Sequence, residues 1–396
     1  MTIESGSDRS GSSSRAYTRK LRVLHLIDHM GAGGAQRVVL DLAESRKAGI
    51  EMAIASLRSH CLPEATSRMV EAGVHYRGLG LTRRNPFGIH RLWQLFRSWS
   101  PDIVHSHLEV SSILAVFASL FQRGAKPCLI NHQHNDPYHQ YSAAYRLISR
   151  LLAPYFDAHV VPSRTLASAM EKTLGRRYRN IEVIPNGIDP AWLEKGPTPR
   201  TAALRGGAKR VIGTVGRLAP QKSTRTLLQA TPRLLAAEPS TRIIVVGDGP
   251  LMPELKAEAS ELGIEESVSF LGYSGDLVSI YSALDVFVLP SRYEGFPISL
   301  LEAMAMGIPV VATNIIGNTD AVENARTGLL VPYDSPEELA SAILQLLSDD
   351  KLRNALRENA RNRVRECYTR EKFAARVESL YARLCTESAT ATPGTA

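Results

Sequence analysis

DVFVLPSRYEGFPISLLEAMAMGIPVVAT, residues 285–313, decides how this chain folds. DVFVLPS is an apolar run of strand length, and IPVVAT is another. Between them ISLLEAMAMG has helical spacing and ends at Gly307, a residue suited to a helix C-terminus. Pro297 precedes the helix, where its missing N–H is no loss. Strand, helix and strand in this order make a crossover unit, which joins parallel strands. The turn SRYEGFP then lies beyond the carboxyl end of the first strand. It carries Glu294, and Glu302 follows eight residues later among apolar neighbours. A carboxylate withdrawn from water without a partner costs several kcal/mol, so both glutamates must hold something.

The same alternation runs through the chain. LRVLHLID (21–28), EMAIASL, the segment near Val74–Tyr76, DIVHSH, KPCLINH, AHVVPS and IEVIP form one series of strands with helical stretches between them. RVIGTVG, RIIVVGDG, SVSFLG, DVFVLPS, IPVVAT and GLLVP form a second. Between the series, residues 193–209 carry Pro, Gly and charge without an apolar period, the signature of a linker. At 396 residues two domains are the natural prior. The expected fold is α/β: two doubly wound, Rossmann-like domains facing across a cleft, one over 20–192 and the other over 210–370. Residues 1–19 and 387–396 are expected to be disordered tails.

With 44% hydrophobic and 22% charged residues the chain has the composition of a globular protein, and its longest apolar run is too short for a bilayer. No secretory signal is evident at the start. Cys61, Cys128, Cys367 and Cys385 form no CxxC pair and fit reduced thiols in a cytoplasmic protein. The net charge of +8 is segregated: Arg77–Arg179 holds fourteen Lys/Arg against five Asp/Glu. That bias points to an acidic partner or a solvated basic surface, and no nucleic-acid-binding module accompanies it.

The strand ends carry the chemistry. DHMGAGGAQR (28–37) puts Gly31, Gly33 and Gly34 between the first strand and first helix, where backbone N–H groups approach an anion. Its spacing fails the G-x-G-x-x-G fingerprint, which disfavours a hydride-transfer enzyme. In RVIGTVGRLAPQKS (210–223), Gly216 ends a strand, and Arg217 and Lys222 follow it; two cations there suit a diphosphate. Glu294, in the cleft, is suited to accept from vicinal hydroxyls. PDIVHSHLE and LINHQHNDPYHQ hold His105, His107, His132, His134 and His139. One member of each His-x-His pair is expected to point into packing, and no Cys or carboxylate completes a zinc spacing.

In this order GGAQRVVLDLA, VIPNGID (183–189), GRLAPQK, VVGDGP and the E-x7-E pair Glu294/Glu302 make the chain resemble the family-4 retaining glycosyltransferases of bacterial cell-surface glycan biosynthesis, over residues 21–385. The resemblance implies the GT-B fold, with a first domain on the acceptor side, a second that binds the nucleotide sugar, and helix 371–385 packed back on the first. It implies donor-binding roles for Gly33, Gly34, Gly216, Arg217, Lys222, Glu294, Phe296, Pro297 and Glu302. Glu302 would accept from ribose hydroxyls, and Glu294 from the hexose, with the Phe296 and Pro297 amides beside it. Arg217 and Lys222 would neutralise the leaving diphosphate in place of a metal, and no Asp-x-Asp stands near a strand end. His134, with His132 as the other candidate, would lie near the reactive carbon. Attack would come from the front face, with the leaving phosphate taking the acceptor's proton.

One segment departs from the family: IIGNTDAVENARTGLLV (315–331) replaces the usual G-G-x-x-E, with Gly317 and Asp320 in its place. The implied reaction moves a hexose from a nucleotide-diphosphate sugar to a glycan or lipid-linked acceptor, with no metal cofactor. The alternatives are a nucleotide-sugar epimerase of the same fold and a non-catalytic nucleotide-sugar-binding protein. FGIHRLWQLFRSWS (87–100) combines apolar and basic positions at helical spacing and is open to two readings, packing on the sheet or lying in a membrane interface. With the basic segment, it motivates an expected cytoplasmic location, with peripheral contact to an anionic inner membrane face.

Overall fold

The computed structural model describes residues 19–82, 87–122, 125–135, 142–174 and 180–390. The tail readings at 1–18 and 391–396 fall outside the described residues. Seven strands, β1 (Leu21–Ile27), β2 (Ile50–Ser56), β3 (His75–Gly78), β4 (Ile103–His107), β5 (Cys128–His132), β6 (Ala158–Val161) and β7 (Ile181–Val183), form one sheet in the order β3-β2-β1-β4-β5-β6-β7. Six more, β8 (Arg210–Val215), β9 (Thr241–Val246), β10 (Val268–Gly272), β11 (Val286–Leu289), β12 (Val310–Thr313) and β13 (Leu329–Val331), form a second in the order β10-β9-β8-β11-β12-β13. Every pairing is parallel. Runs of Val, Ile and Leu suit strands covered on both faces, which is why each sheet lies between layers of helices.

The first sheet is covered by α1 (Gly34–Ser45), α2 (Pro63–Glu71), α3 (Phe87–Trp99), α4 (Glu109–Leu120), α5 (Ala143–Leu152) and α6 (Arg164–Leu174). The second unit contains α7 (Pro199–Arg205), α8 (Thr224–Ala237), α9 (Met252–Glu261), α10 (Leu277–Ala283), α11 (Ile298–Ala305), α12 (Asn318–Ala321), α13 (Pro336–Ser348) and α14 (Asp350–Cys367). The last helix, α15 (Arg370–Thr390), returns to the first unit: Phe373, Val377, Leu380, Tyr381 and Leu384 join its core. Strand order reverses between β1 and β4 and again between β8 and β11, so the turns after these strands open on the crevices where doubly wound sheets take ligands.

Two local readings change. The stretch read as linker contains α7, started by a capping box between Thr198 and Thr201. α15 continues past Glu387 into the segment expected as tail, because its i, i+4 apolar face is held by the first core. In α3, Leu92 and Phe96 are buried against the sheet, while Trp93 stacks under Arg97 and donates Nε1–H to Phe121 O. The packing reading of this helix therefore holds, since its apolar stripe is already covered.

The chain crosses between units twice, and the crossings touch. Ile188 bridges Thr369, and Asp189 and Arg370 pair at 3.2 Å. A β-carbon on Gly187 would lie 2.3 Å from the Thr369 carbonyl oxygen. Gly187→Ala is therefore expected to destabilise the chain by about 1–3 kcal/mol through this backbone clash. Urea unfolding with an unchanged midpoint would contradict that contact.

Candidate functional site

The turn after β8 and the turn after β11 meet. Lys222 Nζ donates to Glu294 Oε1 at 2.5 Å, Ser291 Oγ donates to the same oxygen at 2.6 Å, and Gln221 Nε2 approaches Oε2 at 3.5 Å. Glu294 is 4% exposed, so the ammonium answers what it holds. The sequence reading gave Lys222 to a diphosphate and Glu294 to sugar hydroxyls; here each is the other's partner. Arg217, by contrast, is exposed and has no side-chain partner among the described residues. Burial lowers the His29 imidazole below its ordinary range, and the Arg217 charge adds to this from across the cleft.

Backbone donors converge on the same place. α1 starts at Gly34 with no side-chain cap, and neither Gly33 nor Gly34 gives its N–H to an acceptor among the described residues. A β-carbon at Gly34 would stand 3.9 Å from Ile298 Cδ1, so this helix end sits on the start of α11. The N–H groups of Gly295 and Phe296 are likewise untaken among the described residues. Two other backbone positions offer no N–H here. Pro297 has no N–H and only caps α11, and Gly216 gives its N–H to Val246 O. What Gly216 supplies is clearance, since a β-carbon there would lie 3.3 Å from Lys222 Cε.

Glu302 is 3% exposed and held differently. Tyr281 Oη lies 3.0 Å from both Glu302 Oε2 and Ser299 O. One phenolic proton cannot serve two acceptors, but a protonated Glu302 can donate to Tyr281 while Tyr281 donates to Ser299. Burial accordingly pushes the Glu302 carboxyl up to about 7, against the opposing charge of Arg37 on α1. Sequence reasoning missed Arg37 and Tyr281. It also missed Asn186 in VIPNGID, which donates to Phe296 O at 3.1 Å, and Gln221, which reaches Asn135 Oδ1 of the first unit at 3.4 Å. Asp320 closes the interface by accepting from the Arg164 and Thr165 N–H groups at the N-terminus of α6. The family departure at 315–331 thus places a helix cap between the units.

The five described histidines at the first sheet's centre do not alternate. Residues i and i+2 of a strand share a face, and the registers His25↔His105 and His107↔His132 align three strands. His25, His105, His107 and His132 are fully buried, and His134 is 9% exposed. His25, His105 and His107 form one possible metal-ligand triad, and His107, His132 and His134 a second. Both had been discounted from spacing alone, because strand order is not visible in a linear motif.

A second cavity, of about 350 Å³, lies under the second unit and is lined by Lys195, Arg205, Arg210, Arg353 and Arg357. These arginines close helix ends: Arg205 bonds Ala283 O, Arg353 bonds Leu346 O, Arg210 bonds Leu347 O and Arg357 bonds Gly307 O. Cations at helix C-termini are accounted for by the unpaired carbonyls and the dipole. The interdomain crevice remains the candidate site.

Comparison with known proteins fits this geometry. The profile "Glycosyl transferases group 1" matches residues 200–363, and "Glycosyltransferase Family 4" matches 32–192. A D-inositol 3-phosphate glycosyltransferase of Corynebacterium urealyticum is 33% identical over 312 residues, 72% of each chain. The chain belongs to the family-4 glycosyltransferases. This glycosyltransferase is also 29% identical over 308 residues to the UDP-Gal:alpha-D-GlcNAc-diphosphoundecaprenol alpha-1,3-galactosyltransferase of Escherichia coli, covering 73% of this chain and 77% of that one. HepE of Anabaena, solved in complex with UDP-glucose, shares its two-domain GT-B fold at TM-score 0.80 and 23% identity, over 91% of this chain and 100% of that one.

The buried imidazoles of the glycosyltransferase make its stability depend on pH. Burial lowers His25 and His134 from 6.5 to about 3, and lowers His105, His107 and His132 well below 6.5. The unfolded chain binds protons near pH 6.5 that the folded chain refuses, so stability falls as pH drops from 6.5 toward 3. The slope is about 1.4 kcal/mol per pH unit for each histidine in that window. Glu302 acts oppositely: raised from 4.5 to about 7, it contributes below 4.5 and loses its contribution as pH rises through 7. Thermal melts are expected to shift steeply downward below pH 6.5; a flat midpoint to pH 5 would contradict the buried cluster.

Proposed function

We propose that this glycosyltransferase moves a hexose from a nucleotide-diphosphate sugar to a glycan or lipid-linked acceptor, with retention of configuration and without a metal ion. The observation that carries the reading is the meeting of Lys222, Glu294 and the His134 backbone where both sheets reverse their strand order. The diphosphate is assigned to the free amides of Gly33 and Gly34, to Arg217, and to Lys222 drawn partly from Glu294. Glu294 and the free amides of Gly295 and Phe296 take the hexose, and Glu302 takes the ribose through its Oε1, which has no partner among the described residues. Gly216 gives room, and Pro297 sets the start of α11.

In the reaction the bond from the anomeric carbon to the β-phosphate oxygen breaks, and its electron pair leaves on the phosphate. The acceptor oxygen attacks from the same face, and its proton passes to that phosphate oxygen. Preorganised cations stabilise the charge without reorganising. Membership of the family favours transfer over the epimerase and binding-protein readings.

A membrane contact, if the acceptor is lipid-linked, is placed on α5 rather than α3. α5 buries no residue and exposes Leu147 and Leu151, beside Phe117, Leu120 and Phe121 of the neighbouring α4 and the turn after it. An amphipathic basic helix of this kind lies in an interface plane. No described helix is long and apolar enough to cross a membrane. Leu147→Asp with Leu151→Asp is expected to abolish sedimentation with anionic liposomes at low salt; equal binding would remove this contact.

Arg217→Ala and Lys222→Ala are each expected to lower kcat roughly a hundredfold. Their stabilities should differ. Arg217 has no partner to lose among the described residues, whereas removing Lys222 leaves the buried Glu294 charge with Ser291 but without its cation and costs about 1–3 kcal/mol. Product NMR should show the donor's anomeric configuration, and EDTA should leave the rate unchanged. Inverted product, or full activity in the Arg217 variant, would overturn the assignment.

A further inference from the structure

The buried histidines are connected in a single order. His134 Nε2 meets His107 Nδ1 at 3.0 Å, and His107 Nε2 meets His25 Nδ1 at 2.9 Å. His25 Nε2 meets Tyr381 Oη at 3.4 Å, Tyr381 Oη meets His105 Nδ1 at 2.6 Å, and His105 Nε2 meets His132 Nδ1 at 3.2 Å. The two remaining nitrogens are the ends. Among the described residues His132 Nε2 is buried with no partner, and His134 Nδ1, on the one histidine of these five with measurable exposure, has none either. Burial keeps all five imidazoles neutral at pH 7.

Each neutral imidazole carries one proton and the tyrosine one more. Five of these six protons fill the five links, and the sixth must sit at an end. If all donors point toward His132, its Nε2 becomes an N–H with no acceptor in a closed interior. If all point toward His134, His132 Nε2 keeps only an idle lone pair. Buried orphan donors are rarer than idle acceptors, so the second polarity is favoured.

We propose that these five histidines and Tyr381 form one hydrogen-bonded chain of fixed polarity that holds His134 as the Nδ1–H tautomer facing the cleft, with Tyr381 as the positioning residue at its middle. His132 Nδ1 donates to His105, His105 Nδ1 to Tyr381, Tyr381 to His25, His25 Nδ1 to His107, and His107 Nδ1 to His134 Nε2. His134 therefore offers the cleft a donor and not a base, in keeping with a reaction in which the leaving phosphate takes the proton. The tautomer of a histidine is set by the bond its other nitrogen makes, and here that bond is controlled from α15, through residues far from the substrate.

The arrangement is not that of a metal centre, although two triads have their nitrogens within 4.8 Å of one another. Imidazoles around one ion radiate from it. Here the rings are stacked side by side, with interplanar angles of 35°, 20° and 19° within His25, His105 and His107 and of 35°, 27° and 19° within His107, His132 and His134.

The catalytic consequence rests on the reading that puts His134 beside the donor's reactive carbon; the tautomer itself does not. Long-range ¹H–¹⁵N spectra of protein labelled at histidine report each tautomer directly in the full wild-type chain. His134 is expected wholly as the Nδ1–H form, and Tyr381→Phe, which removes the middle link, is expected to give a mixture. The same substitution should lower kcat by about tenfold or more with donor KM moving less than about twofold. A wild-type His134 protonated on Nε2, or a stoichiometric transition metal in the purified protein, would overturn the chain. A spectrum as expected with unchanged kcat in the variant would leave the chain standing and sink its role in the reaction.

Discussion

A β-carbon at position 295 would lie 2.0 Å from the carbonyl oxygen of His134, so the two units approach this closely at that turn only because the residue is glycine. This contact fixes the depth of the crevice. Gly317 then packs on Gly295 with a positive φ of 86°, a conformation that side chains rarely adopt, and it carries α12 and Asp320 to the N-terminus of α6. Asn186 ties Phe296 to the first crossing between the units, and Gln221 reaches over to Asn135. The turn around Glu294 is therefore held from both sides by backbone contacts that leave little freedom. Preorganisation of that kind is what electrostatic stabilisation of a leaving group requires.

The charges around the turn are balanced rather than simply opposed to a ligand. Lys222 and Glu294 neutralise each other, Arg217 has no partner among the described residues, and burial raises the Glu302 carboxyl to about 7 beside Tyr281, with Arg37 acting on it from the first unit. A diphosphate entering such a site meets Arg217, unpaired among the described residues, and Lys222, which must be shared with a carboxylate. That sharing keeps the interior from carrying an uncompensated charge, which would be costly where water is excluded. It also makes Glu294 and Lys222 a unit, so removing either changes the other's environment.

The strands were legible as short, mostly apolar runs bounded by turn residues, except β3, whose HYRG is polar and was placed only as a segment near Val74–Tyr76, and parallel pairing followed from the alternation. The positions of Glu294, Lys222 and His134 at strand ends were legible for the same reason. Their partners were not. Lys222 and Glu294 stand seventy-two residues apart and meet because β8 and β11 are neighbours at the point of reversal. The histidine chain likewise needs β1, β4 and β5 side by side, an order that no motif of five or ten residues encodes. Pro297 was overread as an amide donor, although its chemistry forbids it. α7 was missed although Thr198-Pro199 before Thr201 is a helix start that could have been seen. Fold followed from pattern; the site's internal pairings depended on strand order.

The most direct test is a crystal structure of the full chain with a nucleoside diphosphate bound. The account predicts the diphosphate between the Gly33–Gly34 turn and Arg217, with Lys222 Nζ within hydrogen-bond distance of a phosphate oxygen and the ribose at Glu302. A nucleotide seated elsewhere, such as the arginine-lined cavity beneath the second sheet, or a diphosphate that leaves Arg217 and Lys222 untouched, would contradict it.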